Sequence, residues 1–516
     1  MKARRVPRFT AKPTDSPRFS EWSEFEDPVW RLEEPMAGQR PGHGAFVWNI
    51  TVGAGESLLD DRFSKLRWNL RVFVWTLVHD PRGSKALTPG GLTHLWVAIA
   101  SGVRWMVAEG MSDFTMLDSP AGWRFLDHFL RTHEEPRGGQ KRRPAKITWA
   151  SASARLKFVM LVHRQRKALQ RFGVCVPGER PFDGFKVDQL VQHHLDLHRG
   201  DAPDPIPDDV ALRIMSATQD WLGARADDIG RLVAIAGDLN FNMRSHTRTG
   251  EFTAYQLSRE ALETFRFSTP ESGAIPWMDL RDGHRRVQLD GRISFIKGRQ
   301  MLRWLLLSVQ GAAVACIQAT TGIRANEFAG FEDDGSPGPL PSCIEKRRSE
   351  DGLLDLFYVR GTELKVTKEK GVWLVGSRLA GTKYLPPPVR AFSLLHTLFA
   401  TWRDLGGHAK LLVRFSSSRG LPMSSSSIGV ATSEFITTIQ KKFVLDCCDM
   451  KGLPPEHIER FVDDHKLRGQ LWRRTFANFL FRIDARLIEP LSRVIPPLLA
   501  AVKSGAKRRV PVSASV

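Results

Sequence analysis

The chain has 516 residues, of which 42% are hydrophobic, and it carries a formal net charge of +19 with an isoelectric point of about 10.0. This length suits two or three domains. The hydrophobic content is high enough for a sizeable buried core, which excludes a chain too polar to fold. The positive excess favours a polyanionic partner, with nucleic acid ahead of an anionic membrane surface.

Several classes of protein and site are not indicated by the sequence. The five cysteines have no C-x-x-C spacing, and the adjacent Cys447 and Cys448 cannot form an ordinary zinc pair. We therefore predict a reduced, cytoplasmic protein without a structural metal or a cofactor. The N-terminal M-K-A-R-R is basic and lacks the apolar core of a signal peptide. The apolar run from Met301 is interrupted by Arg303, Gln310 and Gln318, so no membrane span is predicted.

The N-terminal part of the chain predicts an arm followed by a helical domain. Residues 1–58 are rich in Pro, Gly and charge, which predicts an extended or partly ordered arm. Residues 59–200 form the helical domain, where apolar residues at helical spacing mark helices over 66–77, 92–106, 123–130 and 147–172. The basic loop at 137–146 suits phosphate contacts, although such runs are usually solvated.

The prolines of D-A-P-D-P-I-P-D-D, at 201–209, mark a linker, and we place a domain boundary at 200/201. Just before it, H-H-L-D-L-H at 193–198 favours a polar helix face over a metal site, because acidic or cysteine partners at a known spacing are missing. Helices are predicted over 210–222 and 227–239. The stretch 277–296 is basic and polar and indicates no function by itself.

An apolar helix is predicted over 301–318, followed by A-T-T-G-I-R-A-N-E-F-A-G at 319–330. One face of the helix is marked by steps of three and four between Leu302, Leu306, Val309, Ala313 and Cys316. Gly322 permits a close turn, and Arg324 and Glu327 stand three apart. That spacing most often gives a helical ion pair, but a guanidinium held at a helix junction also suits a phosphate.

A small antiparallel sheet is predicted next, with strands at 354–359, 363–366 and 372–375. Residues 385–398 predict a strand exit followed by a helix. Near the C-terminal end, D-H-K-L-R-G-Q-L-W-R-R-T-F-A-N-F-L at 464–480 predicts another helix. One face of that helix is formed by Trp472, Phe476, Phe479 and Ile483.

T-G-I-R-A-N-E-F and L-W-R-R-T-F-A resemble the two arginine motifs of the tyrosine recombinase (phage integrase) family. The motifs and the sheet between them occur in the family's order over roughly residues 210–490. The resemblance implies a mainly α fold with a small antiparallel β-sheet (α+β). Residues 59–200 would be the core-binding domain that clamps DNA, 201–495 the catalytic domain, and 496–516 a basic tail.

The resemblance also assigns roles to individual residues. Arg324 and Arg473 would stabilise the negative charge of a pentavalent phosphate, with Glu327 in support. Lys365 would protonate the leaving 5′ oxygen, with Lys368 as the alternative.

Gln470 stands where the family usually has histidine; it can donate a hydrogen bond to a phosphate but cannot carry a proton. A second alignment uses His465 and Arg468 instead. It keeps the histidine and loses the R-T-F-A continuation, so we prefer the first.

The chain departs from the family at the nucleophile. Its three tyrosines, Tyr255, Tyr358 and Tyr384, all precede the second arginine motif, whereas the family uses a tyrosine beyond it. We therefore expect a truncated or frame-shifted recombinase that binds DNA and cannot cleave a strand alone, unless a partner supplies the nucleophile. Whether the chain is an enzyme stays open.

The sequence thus predicts a DNA-binding, integrase-like protein of a mobile genetic element, acting in DNA integration and recombination. Double-stranded DNA is its expected partner, together with further copies or other proteins on that DNA, and no membrane. The alternatives are a non-catalytic accessory protein at a recombination site and a basic helical scaffold that binds RNA or protein.

Overall fold

The structure is a computed structural model, and for some residues only the backbone is described. The described residues are 18–36, 39, 42–83, 86–134, 148–197, 204–241, 264–270, 273, 275–279, 284–287, 293–296, 299–362, 370–416, 421–422, 424–459 and 469–483. The chain divides into two compact units: unit 1 covers Met1–Pro35 and Arg40–Ala202, and unit 2 covers Met36–Gln39 and Pro203–Val516. The main division lies next to the boundary placed at 200/201.

Unit 1 combines short N-terminal strands with a set of longer helices. Its strands are β1 Arg18–Ser20, β2 Ser23–Glu24, β3 Val29–Arg31, β4 Ala45–Val47, β5 Thr51–Gly53 and β6 Glu56–Ser57. Its helices are α1 Ser64–His79, α2 Pro89–Ala108, α3 Ser119–Glu134, α4 Trp149–Gln170 and the short α5 Val187–Gln189. Helices α1–α4 lie where the apolar periodicity predicts them.

The N-terminal strands form three antiparallel pairs, β1–β2, β3–β4 and β5–β6. Phe19, Trp30, Phe46 and Trp48 on and beside them are fully buried in the core of unit 1. Arg71 of α1 donates to the backbone oxygens of Glu26 and Asp27. The described part of the predicted arm is thus folded onto the helices, because its aromatic side chains supply apolar area that the helices bury.

The described part of unit 2 contains helices and three small sheets. Its helices are α6 Asp208–Leu222, α7 Ala224–Phe241, α8 Arg299–Thr321, α9 Ala325–Ala329, α10 Pro387–Gly406, α11 Ser433–Cys447, α12 Pro455–Ile458 and α13 Gly469–Ile483. Its strands are β7 His284–Val287, β8 Ile293–Ile296, β9 Ile344–Arg348, β10 Leu354–Thr362, β11 Lys370–Leu379, β12 Val413–Phe415 and β13 Ile428–Val430. The fold is mainly helical with small antiparallel sheets, as predicted at this coarse level.

Helix α8 forms the centre of unit 2. The predicted face is buried, and so are most other positions, including the polar Gln310 and Gln318. Gln310 is accommodated because its Nε2 donates to the carbonyl oxygen of Val413, 3.0 Å away. A Cβ atom at Gly311 would lie 2.6 Å from Cβ of Phe443, so this glycine lets α8 and α11 approach closely. Helix α8 is therefore covered on several sides by its neighbours, not only along one face.

Helix α8 is also the one helix in the described ranges that is long and apolar enough to cross a membrane. Most of that apolar stretch is buried inside unit 2. The length and apolar content of α8 are therefore those of a helix in the core of unit 2.

The main sheet has three antiparallel strands in the order β11–β10–β9. Two of its strands contain the predicted segments 354–359 and 372–375, and the third, β9, was not predicted. Because β9 is an edge strand with the sequence I-E-K-R-R, it lacks the alternation that marks a half-buried strand. The predicted strand at 363–366 lies outside the described residues.

Candidate functional site

The turn after α8 positions the first arginine motif. Gly322 has a φ of +65°, and its N–H donates to the carbonyl oxygen of Gln318 at 3.0 Å, which ends the helix in the left-handed conformation that glycine favours. The Thr321 hydroxyl donates to the Ile317 carbonyl oxygen at 2.5 Å. Ile323 is buried next to it, which fixes the direction in which the chain enters α9.

Arg324 is the N-cap of α9 and is held by Glu327. One carboxylate oxygen of Glu327 accepts the backbone N–H of Arg324 at 3.0 Å, and the other accepts Nη1 of the guanidinium. The Glu327 side chain is 2% exposed and that of Arg324 is 14% exposed. The pair is therefore a largely buried ion pair combined with a helix cap, not the solvated surface pair that the spacing usually gives.

The second terminal nitrogen of Arg324 makes no hydrogen bond to Glu327 among the described contacts. Nη2 is buried, and no hydrogen-bond partner for it is found in the part of the chain that the structure describes. An unpaired buried donor costs roughly 1–3 kcal/mol, so such a group calls for a physical explanation. An anion that accepts from Nη2 would remove that cost.

Helix α13, which contains the second arginine motif, begins beside the turn that follows α8. A Cβ atom at Gly469 would lie 2.8 Å from Nε2 of Gln318. The same Nε2 donates to the carbonyl oxygen of Ile323, the residue before Arg324, at 3.2 Å. The first residue of α13 thus lies beside the turn that carries Arg324.

Helix α13 is fixed by buried contacts along one side. Leu471, Trp472 and Thr475 are nearly fully buried, and the Thr475 hydroxyl accepts the Ile206 N–H at 2.9 Å. Arg473 lies one turn after Gly469 and is partly exposed.

The other candidate residues lie partly or wholly outside the described residues. Gln470 is the second residue of α13, but its side chain is not described. The segment that joins Thr362 to Lys370, which pair at the end of β10 and β11, contains both candidate lysines. Those lysines and the residues of the second alignment are outside the described residues: Lys365, Lys368, His465 and Arg468.

Two of the three tyrosines are described. Tyr358 lies on β10, with the Arg347 guanidinium 4.8 Å from the centre of its ring. Tyr384 is 62% exposed and lines a groove of about 410 Å³ beside Arg390. Among the described contacts, neither ring touches Arg324. Tyr255 lies outside the described residues.

Two buried cysteines are poor nucleophiles. Burial raises the pKa of Cys316 to about 12 and that of Cys343 to about 12, so both thiols stay protonated near neutral pH. Among the described residues, no group of three or more His, Cys, Asp or Glu side chains could hold a metal ion.

A buried charged cluster in unit 2 was not predicted. Oδ2 of Asp333 is 2.7 Å from Nδ1 of His396 and accepts Nη2 of Arg403 at 2.8 Å. All three side chains are at least nine-tenths buried, and Nη1 of Arg403 also donates to the Leu395 carbonyl oxygen. The cluster fixes the segment after α9 to α10. Asp333 is more than 60 residues from His396 and Arg403 in the chain, so no local pattern indicates the cluster.

No family model, curated protein or solved structure matches the chain.

Proposed function

We propose that the chain is a DNA-binding protein of the tyrosine recombinase kind, acting in DNA integration and recombination, in which Arg324 and Arg473 bind one backbone phosphate. The observation that carries the proposal is the geometry of Arg324. Glu327 occupies one side of its guanidinium and leaves Nη2 buried without a described partner. A phosphate oxygen accepts hydrogen bonds from a guanidinium in fixed geometry, so it suits this donor.

The position of α13 supports including Arg473 in the same site. The beginning of this helix lies beside Gln318 and Ile323, next to Arg324. Gln318 and Gly469, which lie shortly before the two motifs, are about 150 residues apart in the chain and lie side by side, which supports placing Arg473 near Arg324. Two arginines at one phosphate would neutralise the charge that develops during phosphoryl transfer.

The charge of the chain supports duplex DNA as the partner. A net charge of +19 attracts a polyanion, and phosphate contacts supply most of the non-specific affinity for DNA. A cytoplasmic location and assembly of several protein molecules on the DNA are part of this proposal.

A second candidate function is favoured by the missing late tyrosine. The sequence has no tyrosine after Arg473, and the buried Cys316 and Cys343 are protonated near neutral pH. A protein that occupies a recombination site, and leaves strand cleavage to a nucleophile from a partner, would need the phosphate site alone. In that case Lys365 or Lys368 would still be able to donate a proton to a leaving oxygen.

Two measurements on the full chain test the proposal. The first is the affinity for duplex DNA as a function of salt concentration. The affinity should fall steeply as salt rises, because binding releases cations from the DNA and added salt opposes that release. The second uses a nicked suicide substrate built from the DNA that flanks the gene, scored for a covalent protein–DNA adduct on a denaturing gel. An adduct supports an active recombinase, and salt-sensitive binding without an adduct supports the accessory protein. The absence of both contradicts the DNA-binding proposal.

A further inference from the structure

Strands β7 and β8 form a two-stranded ribbon that belongs to no larger sheet among the described strands. They are antiparallel, with His284 opposite Ile296, Arg285 opposite Phe295, Arg286 opposite Ser294 and Val287 opposite Ile293. A two-stranded hairpin by itself is marginally stable in water. A ribbon of this kind therefore gains stability from any partner that it contacts.

The sequence of the ribbon is basic. Neither strand contains an acidic residue, and residues 281–299 contain two aspartates and six basic residues: Arg281, Arg285, Arg286, Arg292, Lys297 and Arg299. Because the excess is positive, the complementary partner is an anion. An antiparallel two-stranded ribbon also has dimensions that the major groove of B-DNA admits.

In the chain, the ribbon precedes α8 and the first arginine motif follows it. Ile296 precedes the start of α8 at Arg299 by three residues, whereas Arg324 follows the end of α8 at Thr321. A helix of this length spans roughly 35 Å at 1.5 Å per residue. One turn of B-DNA is about 34–36 Å long, so the length of α8 matches the separation of two points about one turn apart on a duplex that runs along this helix.

We propose that the β7–β8 ribbon is a second DNA-contacting element of unit 2, which binds the duplex backbone about one helical turn from the phosphate at Arg324. This inference rests on the proposed DNA-binding function. The ribbon would supply DNA contacts in addition to those of the two arginine motifs. It would also give a role to a basic stretch whose function the sequence alone does not indicate.

The test measures how the affinity for a duplex of about 30 base pairs, roughly three helical turns, depends on salt. The ribbon variant is Arg285→Ala combined with Arg286→Ala. The matched control is Arg213→Ala with Arg414→Ala, which removes the same formal charge from exposed positions on α6 and β12. If both ribbon arginines bind phosphates, the slope of log Kobs against log salt becomes shallower by about 1.8 between about 50 and 200 mM salt. The control keeps the wild-type slope.

A crosslinking measurement covers the case in which the alanine variant folds poorly. Phe295 is replaced by p-benzoylphenylalanine, because its strand position is opposite Arg285, and Leu212, 62% exposed on α6, is replaced in the control. The ribbon position should crosslink to labelled duplex and the control position should not.

The outcomes separate the two proposals. If wild-type protein binds no duplex even at low salt, the proposed function and the ribbon both fail. If wild-type protein binds, but the ribbon variant keeps the wild-type slope or the control shifts equally, only the ribbon proposal is overturned. The same holds if position 295 gives no crosslink above the control.

Discussion

The buried pair of Arg324 and Glu327 gives the sharpest stability prediction. In Glu327→Ala the backbone N–H of Arg324 loses its acceptor, and the guanidinium loses its only described acidic partner. Loss of a helix cap costs about 1 kcal/mol. Removing one partner of a fully buried pair costs about 3–5 kcal/mol. Because Arg324 is 14% exposed, water can partly solvate its guanidinium once Glu327 is removed. We therefore expect the free energy of unfolding to fall by about 3–4 kcal/mol in total.

The assay is urea unfolding followed by tryptophan fluorescence, analysed for the transition that includes unit 2. The matched control is Asp227→Ala, which removes an acid paired with Arg390 at 2.5 Å but 65% exposed. An exposed pair of this kind is worth about 1 kcal/mol or less. The double variant Arg324→Ala with Glu327→Ala should recover part of the loss, because no charge is left buried alone. If Glu327→Ala costs no more than the control, the buried-pair reasoning is wrong.

Three further predictions concern packing, pH and thiol chemistry. Gly469→Ala should lower the thermal midpoint, at a cost of about 1–3 kcal/mol, because its Cβ would lie 2.8 Å from Nε2 of the buried Gln318; an unchanged midpoint would contradict this contact. Burial lowers the pKa of His79 below 6.5, so the unfolded chain binds the proton more readily and stability falls as pH drops below about 6.5. His79→Gln should lose less stability than wild type between about pH 7 and 5 in parallel urea titrations, and equal losses would refute the assignment. A thiol reagent should label the exposed Cys175 in the native protein but Cys316, whose pKa burial raises to about 12, only on unfolding; simultaneous labelling would show that Cys316 is accessible.

Helices were predictable where one apolar face repeats over several turns. The periodicity of 66–77 and of 301–318 indicates α1 and α8, because a helix that packs on a core must repeat its apolar residues every three or four positions. The full extent of burial of α8 was not predicted. Gln310 and Gln318 suggest a polar side, yet both are buried, and each donates to a carbonyl oxygen.

The N-terminal strands could not be predicted from alternation. Each has only two or three residues, which is too short for a period of two to be detected. Their stability comes instead from contacts with distant residues, such as those between Arg71 and the backbone of Glu26 and Asp27. The same reason explains the missed cluster of Asp333, His396 and Arg403.

The candidate site was predictable only in its local part. The i, i+3 spacing of Arg324 and Glu327 predicts a pair, but its burial depends on packing that the spacing does not contain. Gly469 and Gln318 lie side by side although they are about 150 residues apart in the chain, so no local pattern indicates their proximity. The roles of Lys365 and Gln470 stay predictions.

The central claim is that Arg324 and Arg473 bind the same phosphate, and a double-mutant cycle tests it most directly. Each arginine is replaced by lysine, singly and together, which keeps the charge and removes the planar donor fork. Dissociation constants for duplex DNA are compared after circular dichroism has shown that each variant is folded. A shared phosphate predicts weaker binding in each single variant and a coupling energy of about 0.5–3 kcal/mol. Effects that add to within about 0.3–0.5 kcal/mol, or no loss of affinity in either single variant, would contradict the claim.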